Sequence, residues 1–408
     1  MVELMAPAGS FESLRAAIKA GCDSVYFGVD QLNMRSRSAN FMFKDLIEVA
    51  RVCREAGVKS YLTLNTLLYD HDMALMKKIV DAVKEAGVDS VIVSDFAAIQ
   101  YARFQGVNVH ISTQVSISNI ETAKFFSQYS DKIVLARELS LPLVKKLHEE
   151  IIAQDVRGPS GELVEIEAFA HGAMCVAVSG RCHMSLFTDN ASANRGACIQ
   201  NCRKAYIVED HETGQKLKID NQFVMSPEDL CTIDFLDKLI DAGVHTFKIE
   251  GRGRSPDYVY TVIKAYREAL DSISDSTYSK EKIEKWFKDM KSVYNRGLSS
   301  GYYLGRHMKS WSGAYGSKAT KEKIKLGRIK NYYKKAKVAF AELDSGELSL
   351  GDEILITGPT TGVVKGEVKS LMVDDDKVDI AKKGALITFS LGELVRPSDS
   401  LFKVVLRK

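Results

Sequence analysis

Short runs of β-branched and other apolar residues recur through the first 250 positions, separated by stretches with helical periodicity. Candidate strands fall at 2–5, 24–29, 58–65, 90–94, 107–113, 132–136, 163–170 and 245–250. Helical patterns lie between most of them, such as 11–20 and 46–56. The second places Leu46, Ile47, Val49, Ala50, Val52 and Cys53 at helical spacing and stops before Gly57. An Ala-Gly doublet followed by a strand returns at 20–21, 56–57, 86–87 and 242–243, marking helix end, tight turn and next strand. Eight strands alternating with helices predict an α/β fold, a (β/α)8 barrel of the TIM type. A doubly wound open sheet leaves a similar trace, and the count of eight favours the barrel.

One interval breaks the rhythm. From His171 to about Pro227 no βα unit is evident, and five of the seven cysteines fall between Cys175 and Cys231. In a barrel this insertion follows the seventh strand and lies at the face where active sites are assembled. Loops this long in compact domains are usually functional or disordered, and the cysteines favour function. Helices are expected at 256–272 and 280–294. A lysine-dense stretch covers 318–337, followed by short alternating segments at 336–343, 353–356, 362–368 and 385–390. The chain therefore divides into a barrel domain at 1–317 and a small all-β barrel at 318–408.

The length of 408 residues fits two cores better than one. The net charge of +3 neither demands nor excludes a polyanionic partner. No stretch approaches the ~18 apolar residues of a membrane span, and no basic segment precedes an apolar one at the N-terminus. The expectation is a cytoplasmic protein without membrane contact, in which clustered thiols mean metal or redox chemistry.

Cys175, Cys182, Cys198 and Cys202 are spaced by seven, sixteen and four residues. Zinc ribbons use two close C-x2-C-like pairs, and neither pair here matches. Irregular spacing beside Gly172, Gly180 and Gly196 suits an iron–sulfur cluster cradled by loops, and Arg181, Arg195 and Arg203 would offset its charge. Cys22 and Cys53 read as small buried hydrophobes. Cys231 stays outside the set, either a fifth thiol near the site or part of a helix starting near Pro227.

Polar residues at or just past strand ends are the next candidates: Asn65, Asp95, Gln114, Arg137 and Glu167, with His171 directly after the seventh strand. Arg252 and Arg254 follow the eighth strand and could clamp a dicarboxylate or a phosphate. The competing reading is loop-locking ion pairs, Glu250 with Arg252 or Arg137 with Glu138. Tyr332 and Tyr333 within the lysine-dense stretch fit RNA contact, and a solvated interdomain linker explains them nearly as well. Metalloprotease signatures fail: His148-Glu149 is followed by Ile152, and His211-Glu212 by Gln215, where a second histidine belongs. A cysteine protease would need Cys175 or Cys182 beside His171 or His183.

The string Glu167-x-Phe169-x-x-Gly172-x-x-Cys175, continuing to Ser179-Gly180-Arg181-Cys182-x-x-Ser185, resembles the signature of peptidase family U32, the collagenase-like proteins. Leu4-x-Ala6-Pro7-Ala8-Gly9, Ser112-Thr113-Gln114, Arg137-Glu138-Leu139-Ser140 and Lys248-Ile249-Glu250-Gly251-Arg252-x-Arg254-Ser255-Pro256 extend the resemblance over nearly the whole chain. It implies a [4Fe–4S] cluster held by Cys175, Cys182, Cys198 and Cys202, the last being the least fixed within the family. It implies oxygen-independent hydroxylation, nearest the branch acting at C5 of the wobble uridine in tRNA, with prephenate as co-substrate and a paralogous U32 subunit as a possible partner. On this reading His171, Glu167 and Arg137 are catalytic candidates, and Asn65, Gln114, Arg252 and Arg254 bind substrate. The alternatives are a collagenase-like peptidase and an iron–sulfur RNA-binding protein without chemistry of its own.

Overall fold

The computed structural model describes residues 2–207, 209–214, 225–305, 310–314 and 316–407. Seven parallel strands come first: β1 (Glu3–Pro7), β2 (Ser24–Phe27), β3 (Lys59–Leu64), β4 (Ser90–Val93), β5 (Asn108–Ile111), β6 (Lys132–Val134) and β7 (Glu165–Gly172). A short β8 (Asp229–Cys231) follows, then β9 (Val244–Ile249). β9 pairs in parallel with both β1 and β7, so β1 to β7 and β9 close an eight-stranded barrel. All eight strands expected from the hydrophobic pattern are there. Four-residue runs such as Ser24–Phe27 are buried on both faces, as barrel strands under a ring of helices must be. The Ala-Gly doublets end helices: Gly87 has φ +70 and caps Met73–Ala86 in the left-handed conformation.

Side chains alternate between the helix layer and the barrel interior, and the interior is unusually polar. Met5, Tyr26, Tyr61 and Ile92 form only a small apolar cluster. Around it, Lys132 Nζ reaches Glu3 Oε2 at 2.7 Å, and Lys248 Nζ reaches Glu167 Oε1 at 2.7 Å. Compensated charge thus fills space that apolar layers fill in other barrels. Removing either partner of the Lys248–Glu167 pair would strand a buried charge at a cost of about 3–5 kcal/mol.

No helix begins near Pro227. Asp229–Cys231 is a strand whose Cys231 lies opposite His171, antiparallel to the end of β7. The helices Pro256–Ser274 and Lys280–Ser292 form as expected, the first with proline in its opening turn.

A short strand, Leu298–Ser299, pairs in parallel with β8, and the strands from Lys321 onward form an antiparallel all-β unit. Its main sheet runs Gly362–Glu367, Glu353–Gly358, Ser400–Leu406, Lys321–Tyr333, Val338–Leu343, Leu386–Ser390, Leu371–Val373 and Asp376–Lys377. The lysine-dense stretch is therefore not a linker. Lys321–Tyr333 is a central strand, paired on both sides. Register shifts at Lys325/Gly327 and Ile329/Asn331 interrupt its alternation, which is why a period of two is hard to see there. The unit packs through Leu355 and Val363 on Ala16 of the helix Phe11–Lys19, and Lys365 Nζ donates to Thr261 Oγ1 at 2.7 Å. Among the described residues no helix is long and apolar enough to cross a membrane.

Candidate functional site

The site is built where β7 ends. Gly172 has φ +106, and a Cβ there would lie 2.4 Å from the Glu250 carbonyl oxygen, so only glycine lets β7 pass the end of β9 and release the cysteine segment. Gly196 (φ +87) is held the same way: its carbonyl accepts from Ser36 Oγ at 2.9 Å, and an added Cβ would meet Asn33 O at 2.3 Å. The 190s segment is thereby sewn to the loop after β2.

These constraints bring Cys175, Cys182, Cys198 and Cys202 around one cavity of about 140 Å³, together with Arg35, Glu250, Arg254, Arg203 and Arg296. All four thiols are free. Burial raises the pKa of Cys202 and its three neighbours add to the rise, while Arg203 opposes it. Thiols that crowd electrostatically without bonding to one another suit a shared cationic ligand. Among the described residues no three His, Cys, Asp or Glu side chains are grouped to hold a single metal ion. Four free cysteines lining one shared cavity are a donor set that fits a thiolate-held cluster.

Of the arginines expected to offset cluster charge, only Arg203 lines the cavity. Arg195 instead pairs with Asp72 at 2.7 Å and stacks on Tyr69, and Arg181 lies outside. Arg35, Arg254 and Arg296 take their place.

A second cavity of about 120 Å³, lined by Cys175, Cys182 and Cys198 but not Cys202, opens into the barrel mouth. Asn65, Gln114, Arg137 and Arg252 meet there, with Lys248 and Glu250. Asn65 Nδ2 donates to Gln114 Oε1 at 3.4 Å. Arg252 is buried, donates to Thr63 Oγ1 at 2.7 Å and to Asn33 Oδ1 at 3.1 Å, and has its pKa brought down to about 10 by burial. Arg137 donates to Ala173 O at 2.9 Å and lies 3.6 Å over the Phe169 ring. Neither suggested loop-locking pair is present. Glu250 pairs with Arg35 at 2.9 Å, and Arg137 turns to Phe169 and Ala173. Arg254 belongs to the first cavity and stacks on Tyr294.

Glu167 and His171 line neither cavity. Glu167 is fully buried; burial favours its neutral form, yet Lys248, His110 and Lys132 outweigh that and hold the carboxyl down to about 2. His171 lies against Tyr266 and Tyr258, and burial lowers its pKa to about 3, so it stays neutral. Asp95 accepts from Ala97 N at 2.9 Å as the N-cap of the helix Phe96–Phe104. Cys231 is buried beside Tyr266 Oη at 3.8 Å, away from both cavities, with its thiol pushed up to about 12 by burial.

Sequence reasoning missed Arg35, Lys248 and Arg296 as site residues. Arg35 had a visible signal: the stretch between β2 and the helix Leu46–Glu55 is far longer than a usual βα loop and carries Asn33, Arg35 and Asn40.

The model described as peptidase family U32 matches residues 9–313. A protein named "Collagenase" from Porphyromonas gingivalis is 52% identical over 402 residues, covering 98% of this chain and 97% of its own. "tRNA hydroxylation protein P1" of Bacillus subtilis is 29% identical, covering 98% and 94%. "23S rRNA 5-hydroxycytidine C2501 synthase" of Escherichia coli is 36% identical over 67% of this chain and 40% of its own length.

Proposed function

The chain belongs to peptidase family U32, and from that membership we propose an iron–sulfur protein of RNA hydroxylation, acting at C5 of the wobble uridine of tRNA in the cytoplasm. The observation that carries this reading is four free cysteines around one cavity, three of which also line the cation-bearing pocket at the barrel mouth. Relatives named for hydroxylation of tRNA and for 5-hydroxycytidine in rRNA support it.

Cys175, Cys182, Cys198 and Cys202 would hold a [4Fe–4S] cluster, which when bound supplies one-electron redox chemistry or Lewis-acidic iron. The inner pocket offers Arg35, Arg137, Lys248 and Arg252 against the single carboxylate Glu250. Lys248 is paired with Glu167 and Arg35 with Glu250, which leaves the charges of Arg137 and Arg252 for a small dianion such as prephenate, with Phe169 and Tyr26 also lining the pocket. Asn65 and Gln114 present amides that can orient a polar ring.

The peptidase reading is carried by the name of the 52%-identical relative. The geometry gives it little help. A cysteine nucleophile needs a base within hydrogen-bond reach; His171 is sealed against two tyrosines, His183 is exposed beside Phe187, and neither lines either cavity.

Mass-spectrometric nucleoside analysis of tRNA from cells lacking the protein tests the proposal. Loss of 5-hydroxyuridine derivatives, restored by the wild-type gene and not by Cys175→Ser, is the expected outcome; intact modification rules it out. Casein cleavage by the purified protein, abolished in Cys175→Ser, would decide for the peptidase.

A further inference from the structure

A third cavity, about 290 Å³ and open to solvent, adjoins the cysteine cavity and shares Arg35, Cys198, Gln200 and Arg203 with it. Its cations are Arg35, Arg37, Arg203 and Lys204, and no carboxylate lines it. Arg35 is engaged with Glu250, and Arg203 donates to Pro227 O at 2.7 Å and to Ser226 Oγ at 3.0 Å, so these two shape the floor. Arg37 and Lys204 differ. Both are exposed, and neither forms a salt bridge among the described residues. The carboxylate that feels their charge, Asp189, is already bonded to Thr188 and Asn201.

We propose that this groove docks the sugar–phosphate backbone of single-stranded RNA, holding the phosphate beside the nucleotide that is presented to the cysteine site. The inference rests on the RNA reading above and deepens it. Two cations that form no salt bridge among the described residues, beside Arg203, match a phosphodiester, which brings one negative charge per nucleotide and no requirement for base identity. The groove borders the cysteine cavity along Arg35, Cys198, Gln200 and Arg203, and a base can face that site only when it is out of a stack. A collagen-like peptide, without regular negative charge, gains nothing from such a groove.

The test is fluorescence anisotropy of the anaerobically purified full chain with a labelled RNA hairpin carrying uridine in its loop, over a range of salt concentrations. The Arg37→Gln/Lys204→Gln double variant is expected to bind at least tenfold more weakly, with the salt slope reduced by about 1.4, the value for two single-strand phosphate contacts. Its iron content and thermal midpoint should match wild type, because both side chains are exposed. Wild-type binding that persists unchanged in the variant would overturn the groove and leave the RNA reading standing. No RNA binding by the wild type would sink both. Competition by poly-glutamate as effective as by unlabelled RNA would also overturn the proposal, in favour of an acidic polypeptide.

Discussion

Arg35 Nη2 lies 2.9 Å from Glu250 Oε1, tying the loop after β2 to the end of β9 across 215 residues of sequence. The pair sits where the cysteine cavity and the barrel-mouth pocket meet. Burial pushes the Glu250 carboxyl upward, but Arg35, Arg137 and Arg252 prevail and hold it down to about 2.

Arg35→Gln should therefore remove the ion pair of a largely buried carboxylate, leaving the Tyr26 hydroxyl, 3.1 Å away, as its hydrogen-bond donor and Arg137 and Arg252 as more distant compensating charges. A loss of about 2–3 kcal/mol in urea unfolding at pH 7 is expected. Adding Glu250→Gln should recover part of it, because the stranded charge is then gone. A double variant no more stable than the single one would refute this account of the pair.

Acid should destabilise the protein in two windows. His171 titrates near 6.5 when unfolded and at about 3 when folded, so the unfolded state takes up its proton first and stability falls as pH drops from about 6.5 towards 3. Glu167 stands at about 2 against 4.5, so its contribution is present above pH 4.5 and is lost as pH falls towards 2. Urea midpoints measured between pH 7 and pH 4 should decline in wild type and decline less in His171→Phe. Parallel curves would show that His171 is not buried neutral.

Iron and sulfide analysis after anaerobic reconstitution should give about four of each per wild-type chain. Cys175→Ser, Cys182→Ser, Cys198→Ser and Cys202→Ser should each lower that content, whereas Cys231→Ser should retain it, since Cys231 faces Tyr266 and lines neither cavity. Stoichiometric zinc in colourless protein would overturn the cluster assignment.

Gly172→Ala should cost about 2–4 kcal/mol, because the new Cβ meets Glu250 O at 2.4 Å in a backbone conformation that L-residues avoid. The same change should reduce iron content by displacing the start of the cysteine segment. A thermal midpoint within a degree or two of wild type would contradict the close approach.

The sequence by itself determined eight strands alternating with helices and favoured the barrel over an open sheet; the pairing of β9 with β1 and β7 that closes it is tertiary. The strands are short, buried on both faces and punctuated by Ala-Gly helix ends, so eight of them could be counted from local pattern alone. The cysteine segment after the seventh strand was equally legible, because an insertion without βα rhythm stands out against a regular repeat. The family signature was legible too, and Gly172 within it now has a reason in the Glu250 carbonyl it must pass. Local pattern failed where bulges broke the alternation in Lys321–Tyr333, and where Asp229–Cys231 is too short to show a period. Only the tertiary structure decided which strand-end residues share a cavity. Glu167 and His171 look like site residues in one dimension, yet one is spent on Lys248 and the other is enclosed by tyrosines. Arg35 is marked in the sequence only by the long loop that carries it, and it becomes central because chain closure sets it against Glu250. Periodicity is a property of neighbours along the chain, whereas charge pairing and cavity lining depend on distances that only closing the barrel creates.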